Sequence, residues 1–231
     1  MPVPYYRRDI PYRRISLNNN SVKVNPKEID NENECIKVDL RIPVLEGCKN
    51  KEVQNKINTS IENDEMEFKK QMEEAAKEYA EEAKRKGETI NPYAVSTIYE
   101  VTYNKNDIIS ISVIYYEYIN EKHYYIRTSY NYDLTTGKSL GLKDLFKEGV
   151  DYKKIIDNEI RKQLLANKDQ YLPDAVKKFK GISNDQPFYL ENDNIAVFFG
   201  FHEIAPITSA IPIIKIPFSN LKKELKPIYL K

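Results

Sequence analysis

Tryptophan is absent from these 231 residues, glycine occurs only seven times, and there are two cysteines and two histidines. Each shortage closes off chemistry. No glycine-rich phosphate loop or dinucleotide fingerprint is present. Cys35 and Cys48 bracket a segment that reads as one strand. The steps from 35 to 48, at about 3.3 Å each, would set them about 40 Å apart. A disulfide needs Cα atoms within about 7 Å, so no intrachain bridge is expected, and two thiols make no metal site. His123 opens a strand beside Tyr124 and Tyr125, and His202 lies in a loop next to Glu203. Nucleophilic catalysis needs a Ser or Cys activated by an oriented His. No G-x-S-x-G occurs, and neither Cys has a His near it in sequence. Glu73-Glu74 and Glu81-Glu82 alternate with Lys69, Lys70, Lys77 and Lys84 at helical spacing, as on a solvated face. The expectation is a protein that is not an enzyme, with no cofactor and no metal.

Charge of one sign is also lacking: 36 basic residues stand against 35 acidic ones. A net charge of +1 gives no broad field for nucleic acid. No apolar run of about 18 residues occurs, so no membrane span is expected. The first 30 residues show no apolar core or cleavage pattern of an export signal.

What is present is a 41% hydrophobic chain, enough for a real core. Residues 1–34 read as a flexible arm. Pro2, Pro4 and Pro11 disfavour regular structure among Tyr5, Tyr6, Tyr12 and two Arg pairs. From Cys35, Ile36, Val38, Leu40 and Ile42 alternate with Lys37, Asp39 and Arg41, the period of a half-buried strand. Pro43 marks its end or an edge. A helix follows over about 49–86, with Val53, Ile57, Ile61, Phe68, Met72, Ala76, Tyr79 and Ala83 on one stripe. Gly87 stops it. At about 55 Å such a helix outruns a small domain, which leaves two readings open, one unbroken helix or a break near Asn63-Asp64.

Alternation then predicts three antiparallel strands, from Tyr93 to Tyr103, from Ile109 to Tyr118 and from His123 to Leu134, with turns at 104–107 and 120–122. Asp151 caps a helix carrying Ile155, Ile156, Ile160 and Leu164. A short helix near 174–180, a hairpin over 188–199, a strand over 211–216 and a closing helix over 218–225 complete the chain. The order points to an α+β fold: antiparallel sheets with a long N-terminal helix and shorter C-terminal helices packed against them. Two half-domains, 35–118 and 119–231, would share one core.

Two surfaces stand out. Tyrosine occurs 18 times, and Tyr99, Tyr103, Tyr116, Tyr118, Tyr124, Tyr130 and Tyr132 fall on the three-strand block. They form either core and rim or an exposed face able to stack on sugars or anchor a protein. The second surface is the loop between the last two strands, His202, Glu203, Ile204, Ala205, Pro206, Ile207 and Thr208. It is apolar where connecting loops are usually polar. Its residues exposed together would form a stiff recognition knob.

The landmarks Asn131-Tyr132-Asp133-Leu134-Thr135-Thr136-Gly137-Lys138, Leu142–Phe146, Phe188-Tyr189-Leu190, Ile195–Phe199, His202–Pro206 and Ile216-Pro217-Phe218 carry a resemblance. They resemble the C-terminal half of the extracytoplasmic domain shared by anti-sigma-V proteins and the N-terminal region of peptidoglycan deacetylase C of Gram-positive bacteria. Residues 42–47 and the long helix resemble the first half, so the likeness covers about 35–226. It implies a non-catalytic binding or sensor module. The implied partner is a cell-envelope ligand, lysozyme or peptidoglycan, met outside the membrane, with the 202–208 loop engaging it. Thr208 and Ser209 depart from the family pattern. The alternative is an intracellular interaction protein that kept the fold without export.

Overall fold

The alternating segment that begins at Ile36 buries Ile36, Val38, Leu40 and Ile42 completely or nearly so. In the computed structural model, which describes residues 22–200, 203–205 and 211–230, it is β2 (Ile36–Glu46). Its partner is β1 (Lys23–Glu32), paired antiparallel from Lys23↔Glu46 to Glu32↔Lys37. The arm assigned to residues 1–34 is therefore corrected over this stretch: Lys23–Glu32 is an edge strand. Residues 1–21 lie outside the described residues. Little in the sequence marks β1, because both its faces are largely exposed and no apolar alternation runs along it. Pro43 does not end β2. It sits directly opposite Pro26, so both missing N–H groups fall on one rung.

Asn50 starts α1 (Lys51–Lys86) by accepting the Glu52 and Val53 N–H groups, and Gly87 ends it at φ 70°. Only glycine holds that left-handed conformation cheaply. There is no break at Asn63-Asp64, and the helix runs unbroken for 36 residues. Val53, Ile57, Ile61, Ala76, Ala80 and Ala83 form its buried stripe. The helix carries the chain back so that β3 (Tyr93–Lys105) pairs parallel with β2 over Ile36–Asp39. Where β2 loses β3, the Asn58 side chain takes over, accepting from Leu45 N and donating to Leu45 O.

β4 (Ile108–Ile119) and β5 (Lys122–Asp133) complete the meander. Two-residue turns join it, with Asn106, Asp107, Asn120 and Glu121 all at positive φ. The sheet order is β1-β2-β3-β4-β5. Because β5 pairs with β4 from Asp133 to Lys122, the half-domain boundary placed at 118/119 cuts through a continuous ladder. The first sheet ends only near Leu134.

The landmark after β5 is a turn pressed on the start of α1. Asp133 Oδ1 accepts the Thr135 and Thr136 N–H groups, and Gly137 has φ +69°. A Cβ there would meet Val53 and Lys56 side chains at 3.4 Å. Gly137→Ala is expected to destabilise by about 1–2 kcal/mol, lowering Tm by roughly 2–8 °C in a chain of this size. An unchanged Tm in a thermal melt would remove this explanation of the motif.

The rest of the chain forms a second layer. It comprises a 3₁₀ turn (Leu142–Leu145), α2 (Tyr152–Ala166), the short α3 (Ala175–Lys178), and a three-stranded sheet of β6 (Phe188–Glu191), β7 (Asn194–Phe198) and β8 (Ile213–Pro217). Asp151 caps α2 through the Lys154 N–H. The closing segment is two 3₁₀ turns, Phe218–Leu221 and Pro227–Leu230, rather than a helix over 218–225.

Two cores result. One lies between α1 and the inner face of the five-stranded sheet. The other gathers Leu145, Ile156, Ile160, Leu164, Leu190, Val197, Ile214 and Leu225, and takes Tyr103 and Ile108 from the first sheet. The sheets are joined by hydrogen bonds. Asn131 Nδ2 donates to Phe188 O at 2.9 Å, its Oδ1 accepts from Ser110 Oγ, and Ser110 Oγ accepts the Leu190 N–H at 2.9 Å. Ser129 Oγ donates to Phe188 O. The fold is α+β, as the element order indicated.

Candidate functional site

The 202–208 loop leaves β7 and returns to β8, and its base is closed by the Phe199 N–H donating to Pro212 O at 3.1 Å. Ile204 and Ala205 are 1% and 2% exposed. Ile204 packs in the second core, and its carbonyl accepts the Leu172 N–H at 3.0 Å. The exposed knob expected from sequence therefore does not include these two residues. They hold the loop down. Glu203 is exposed, and its Oε2 accepts the Gly200 N–H at 2.9 Å. His202, Pro206, Ile207 and Thr208 lie outside the described residues. Burial of Ile204 and Ala205 was not legible from sequence because an apolar loop residue reads the same whether it faces out or in.

The tyrosines divide by strand parity, since successive side chains point to opposite faces. Tyr115, Tyr130 and Tyr132 point to α1 and are buried. Tyr116, Tyr118 and Tyr125 point the other way. On that outer face the rungs read Ala94–Tyr118–His123, Ser96–Tyr116–Tyr125, Ile98–Ile114–Arg127 and Glu100–Ser112–Ser129. The second sheet covers the Ser129 end, reaches Arg127 through Tyr189 and touches Tyr125, and it leaves Tyr116 exposed. What remains is a shelf of aromatic and aliphatic side chains at the tip of the meander. Tyr116 is 38% exposed, and its ring lies 6.4 Å from that of Tyr125. The Tyr118 ring lies 4.9 Å from the His123 ring.

Arg127 closes the inner end of the shelf. Its guanidinium lies over the Tyr189 ring, 5.6 Å from the centroid, and donates to Ser112 Oγ. Its Nε is buried without a hydrogen-bond partner. Burial, with Glu191 beside it, pushes the Tyr189 hydroxyl up to about 12, so it stays a neutral donor near physiological pH. Tyr189 belongs to a small cluster with Ala196, Phe198 and Ile211, against which Tyr125 packs. Ile211, the first described residue after 206–210, belongs to this cluster beside the shelf. Strand parity alone groups Tyr116 with Tyr118. Arg127, Tyr125 and Tyr189 were missed because the sheet contact that gathers them spans the two halves of the chain.

Two clefts lie on the opposite side of the molecule. One of about 350 Å³ is lined by Lys56, Ser60, Tyr132, Gly137, Lys138 and Ser139. The other, about 240 Å³, touches Cys48, Lys49, Asp107 and Thr135. In the first, Ser60 Oγ accepts the Tyr132 hydroxyl, and in the second, burial pushes the Cys48 thiol up. Among the described residues, no group of three or more His, Cys, Asp and Glu is placed to hold a metal ion. Among the same residues, no helix is long and apolar enough to cross a membrane.

Comparison with known proteins divides the chain at the place where its two layers meet. Residues 29–123 match the family model described as deacetylase PdaC, and residues 143–219 match the protein of unknown function DUF3298. Most of β5 lies between the two matches. The chain is 27% identical over 205 residues to the anti-sigma-V factor RsiV of Bacillus subtilis, covering 84% of this chain and 68% of that protein. It is 24% identical over 187 residues to the peptidoglycan-N-acetylmuramic acid deacetylase PdaC of the same organism, covering 79% of this chain. It spans only 38% of that deacetylase's length. Among solved structures, a DUF3298 family member from Bacteroides fragilis superposes with a TM-score of 0.70 at 18% identity, covering 92% of this chain and 98% of that one. One from Pseudomonas aeruginosa gives 0.64 at 17% identity, covering 92% and 97%. The resemblance read from the landmark residues is thus the paired domain that these relatives share.

Proposed function

We propose that this chain is a non-catalytic binding module for a cell-envelope ligand, and that the tyrosine shelf is its binding face for glycan. The shelf is the observation that carries the reading. Three aromatic rings and His123 stand on a rigid ladder, so little conformational entropy is lost when a ligand orders against them. Tyr rings offer an apolar face to the C–H surface of a pyranose and a hydroxyl to its rim. The similarity to a protein named as a peptidoglycan deacetylase supports a peptidoglycan strand as the ligand.

A protein ligand is the second reading, and the anchoring of the 202–208 loop favours it. With Ile204 and Ala205 fixed in the core, Glu203 and the residues flanking that pair, His202 and Pro206 to Thr208, form the contact in this reading. Lysozyme is the test ligand, following the similarity to an anti-sigma-V factor.

Calorimetry separates the two. Wild type is expected to bind soluble peptidoglycan fragments at micromolar concentration. Tyr116→Ala with Tyr125→Ala should weaken that binding at least about tenfold, or about 1.4 kcal/mol. Tyr116 is 38% exposed but Tyr125 packs on the second-sheet cluster, so its Tm should fall by several degrees and a melt checks that the variant is folded where binding is measured. If lysozyme binds instead, and Pro206→Gly with Ile207→Asp abolishes binding while the shelf variant keeps it, the loop is the site. Absence of binding to either ligand at high micromolar concentration rejects an envelope ligand.

A further inference from the structure

α1 buries one carboxyl group among the apolar side chains of the first core. Glu65 is 0% exposed and sits between Ile61 and Phe68 on the inner stripe of the helix. Its Oε1 accepts the Tyr115 hydroxyl at 2.8 Å. Its Oε2 is buried with no hydrogen-bond partner. A buried carboxylate ordinarily gains a cation or several N–H donors. Here the groups facing it are acidic or phenolic. They are Asp64 from α1 itself, Tyr115 from β4 and Tyr130 from β5, with Glu117 farther along the same face of β4. Among the described residues, no lysine or arginine acts on it.

The tyrosines connect it to solvent. The Tyr115 hydroxyl also lies within hydrogen-bonding reach of Tyr130, and Tyr130 is bonded to the Asp64 carboxylate. Asp64 is exposed. Tyr132, next on the same face, donates to Ser60 Oγ at 3.1 Å and so stays out of the chain. Glu65, Tyr115, Tyr130 and Asp64 therefore make a row of oxygen atoms from the core to the surface. The Phe68 ring packs edge-on against Tyr115, 4.5 Å between centroids, and closes the row from above.

We propose that Glu65 is a proton-operated latch that holds the middle of α1 on the meander when protonated and loosens it when ionised. Protonated, the carboxyl is neutral and fits the apolar core. On ionisation the Glu65 proton passes to the Tyr115 oxygen while the Tyr115 hydrogen passes to Tyr130 and the Tyr130 hydrogen to Asp64, which releases it to water, and Tyr115 is left donating to the carboxylate. The charge left behind has one donor and no counter-ion. The least disruptive response is for this part of α1 to lift and admit water to Oε2. Burial raises the Glu65 pKa from 4.5 to about 7, which sets the pH range of the change near neutrality. Tyr115 points to the latch and its chain neighbour Tyr116 to the shelf, so the latch also bears on the outer face of β4. That consequence rests on the shelf reading; the latch itself does not.

The test is a ¹³C-carboxyl NMR titration of Glu65, with amide hydrogen exchange at pH 5.5 and pH 8 corrected for intrinsic rates. The expected carboxyl midpoint lies near 7. Protection of residues 58–70 and of β4 and β5 should fall at least about tenfold between the two pH values. Glu65→Gln, which is neutral throughout, should show no such fall. A midpoint below 5, or an equal loss of protection in the Gln variant, overturns the latch. Should the variant not fold, wild type alone decides. Loss of protection must then track the carboxyl midpoint, and failure to do so overturns the proposal. Ligand binding enters none of these readouts, so failure of the latch and failure of the shelf are distinguishable.

Discussion

Raising the pH from 4.5 to above 7 is expected to lower the stability of this fold by about 3 kcal/mol through Glu65 alone. The carboxyl titrates at 4.5 in the unfolded chain and at about 7 in the folded one. Between those values the folded state holds a proton that the unfolded state has lost. Stability therefore falls as pH rises across the window and is level above it. Each pH unit separating the two midpoints is worth about 1.4 kcal/mol, and the group is fully buried, so solvent screening takes little away. Denaturant melts at half-unit steps of pH check this. Glu65→Gln should flatten the window relative to wild type, whatever its absolute stability. Two parallel curves would show that the carboxyl does not carry the dependence.

The second large effect is expected at Asn131, which bonds the two sheets. Asn131→Ala removes the donor to Phe188 O and the acceptor of Ser110 Oγ, both buried, and leaves a small cavity. Unsatisfied buried groups cost about 1–3 kcal/mol each, but Phe188 O keeps its bond from Ser129. A total of about 3 kcal/mol follows, or roughly 6–12 °C in Tm. Ser129→Ala, which leaves Phe188 O bonded to Asn131, should cost about 1 kcal/mol or less. A variant at Asn131 that melts within about 2 °C of wild type would mean that apolar contact, and not this network, joins the layers.

The Asn131 result bears on how the two matched halves depend on each other. Asn131 lies in the stretch between the two family matches, on a strand of the first sheet, and its partner Phe188 opens the second. Tyr103 and Ile108 likewise come from the first sheet into the second core. The halves are separate as sequence patterns and continuous as packing. Reading the sequence placed the boundary inside the β4–β5 hairpin because it followed the two halves of the resembling family. A turn between two strands of one sheet and a turn between two domains look alike when only local residues are read.

Features that rest on local periodicity and capping were legible in the residues themselves. The long stripe of α1 and its Gly87 stop, the meander with its two Asn-containing turns, the Asp151 cap and the β6–β7 hairpin all follow from residues a few positions apart. The same patterns set the α+β class and showed no local catalytic motif. Packing settled whatever depends on which surface another element covers. It recruited the nearly all-exposed residues 23–32 as an edge strand, since pairing with β2 satisfies their backbone although their side chains bury little. It turned Ile204 and Ala205 inward, Ile204 into the second core where its carbonyl accepts the Leu172 N–H. It left one end of the meander's outer face open, where the second sheet stops, and so made a shelf of Tyr116, Tyr118 and Tyr125. It also enclosed Glu65, which in sequence is one carboxylate among many on a charged helix. Only the position of Tyr115 and Tyr130 across the sheet distinguishes it, because burial and desolvation are properties of the packed interior and not of the chain.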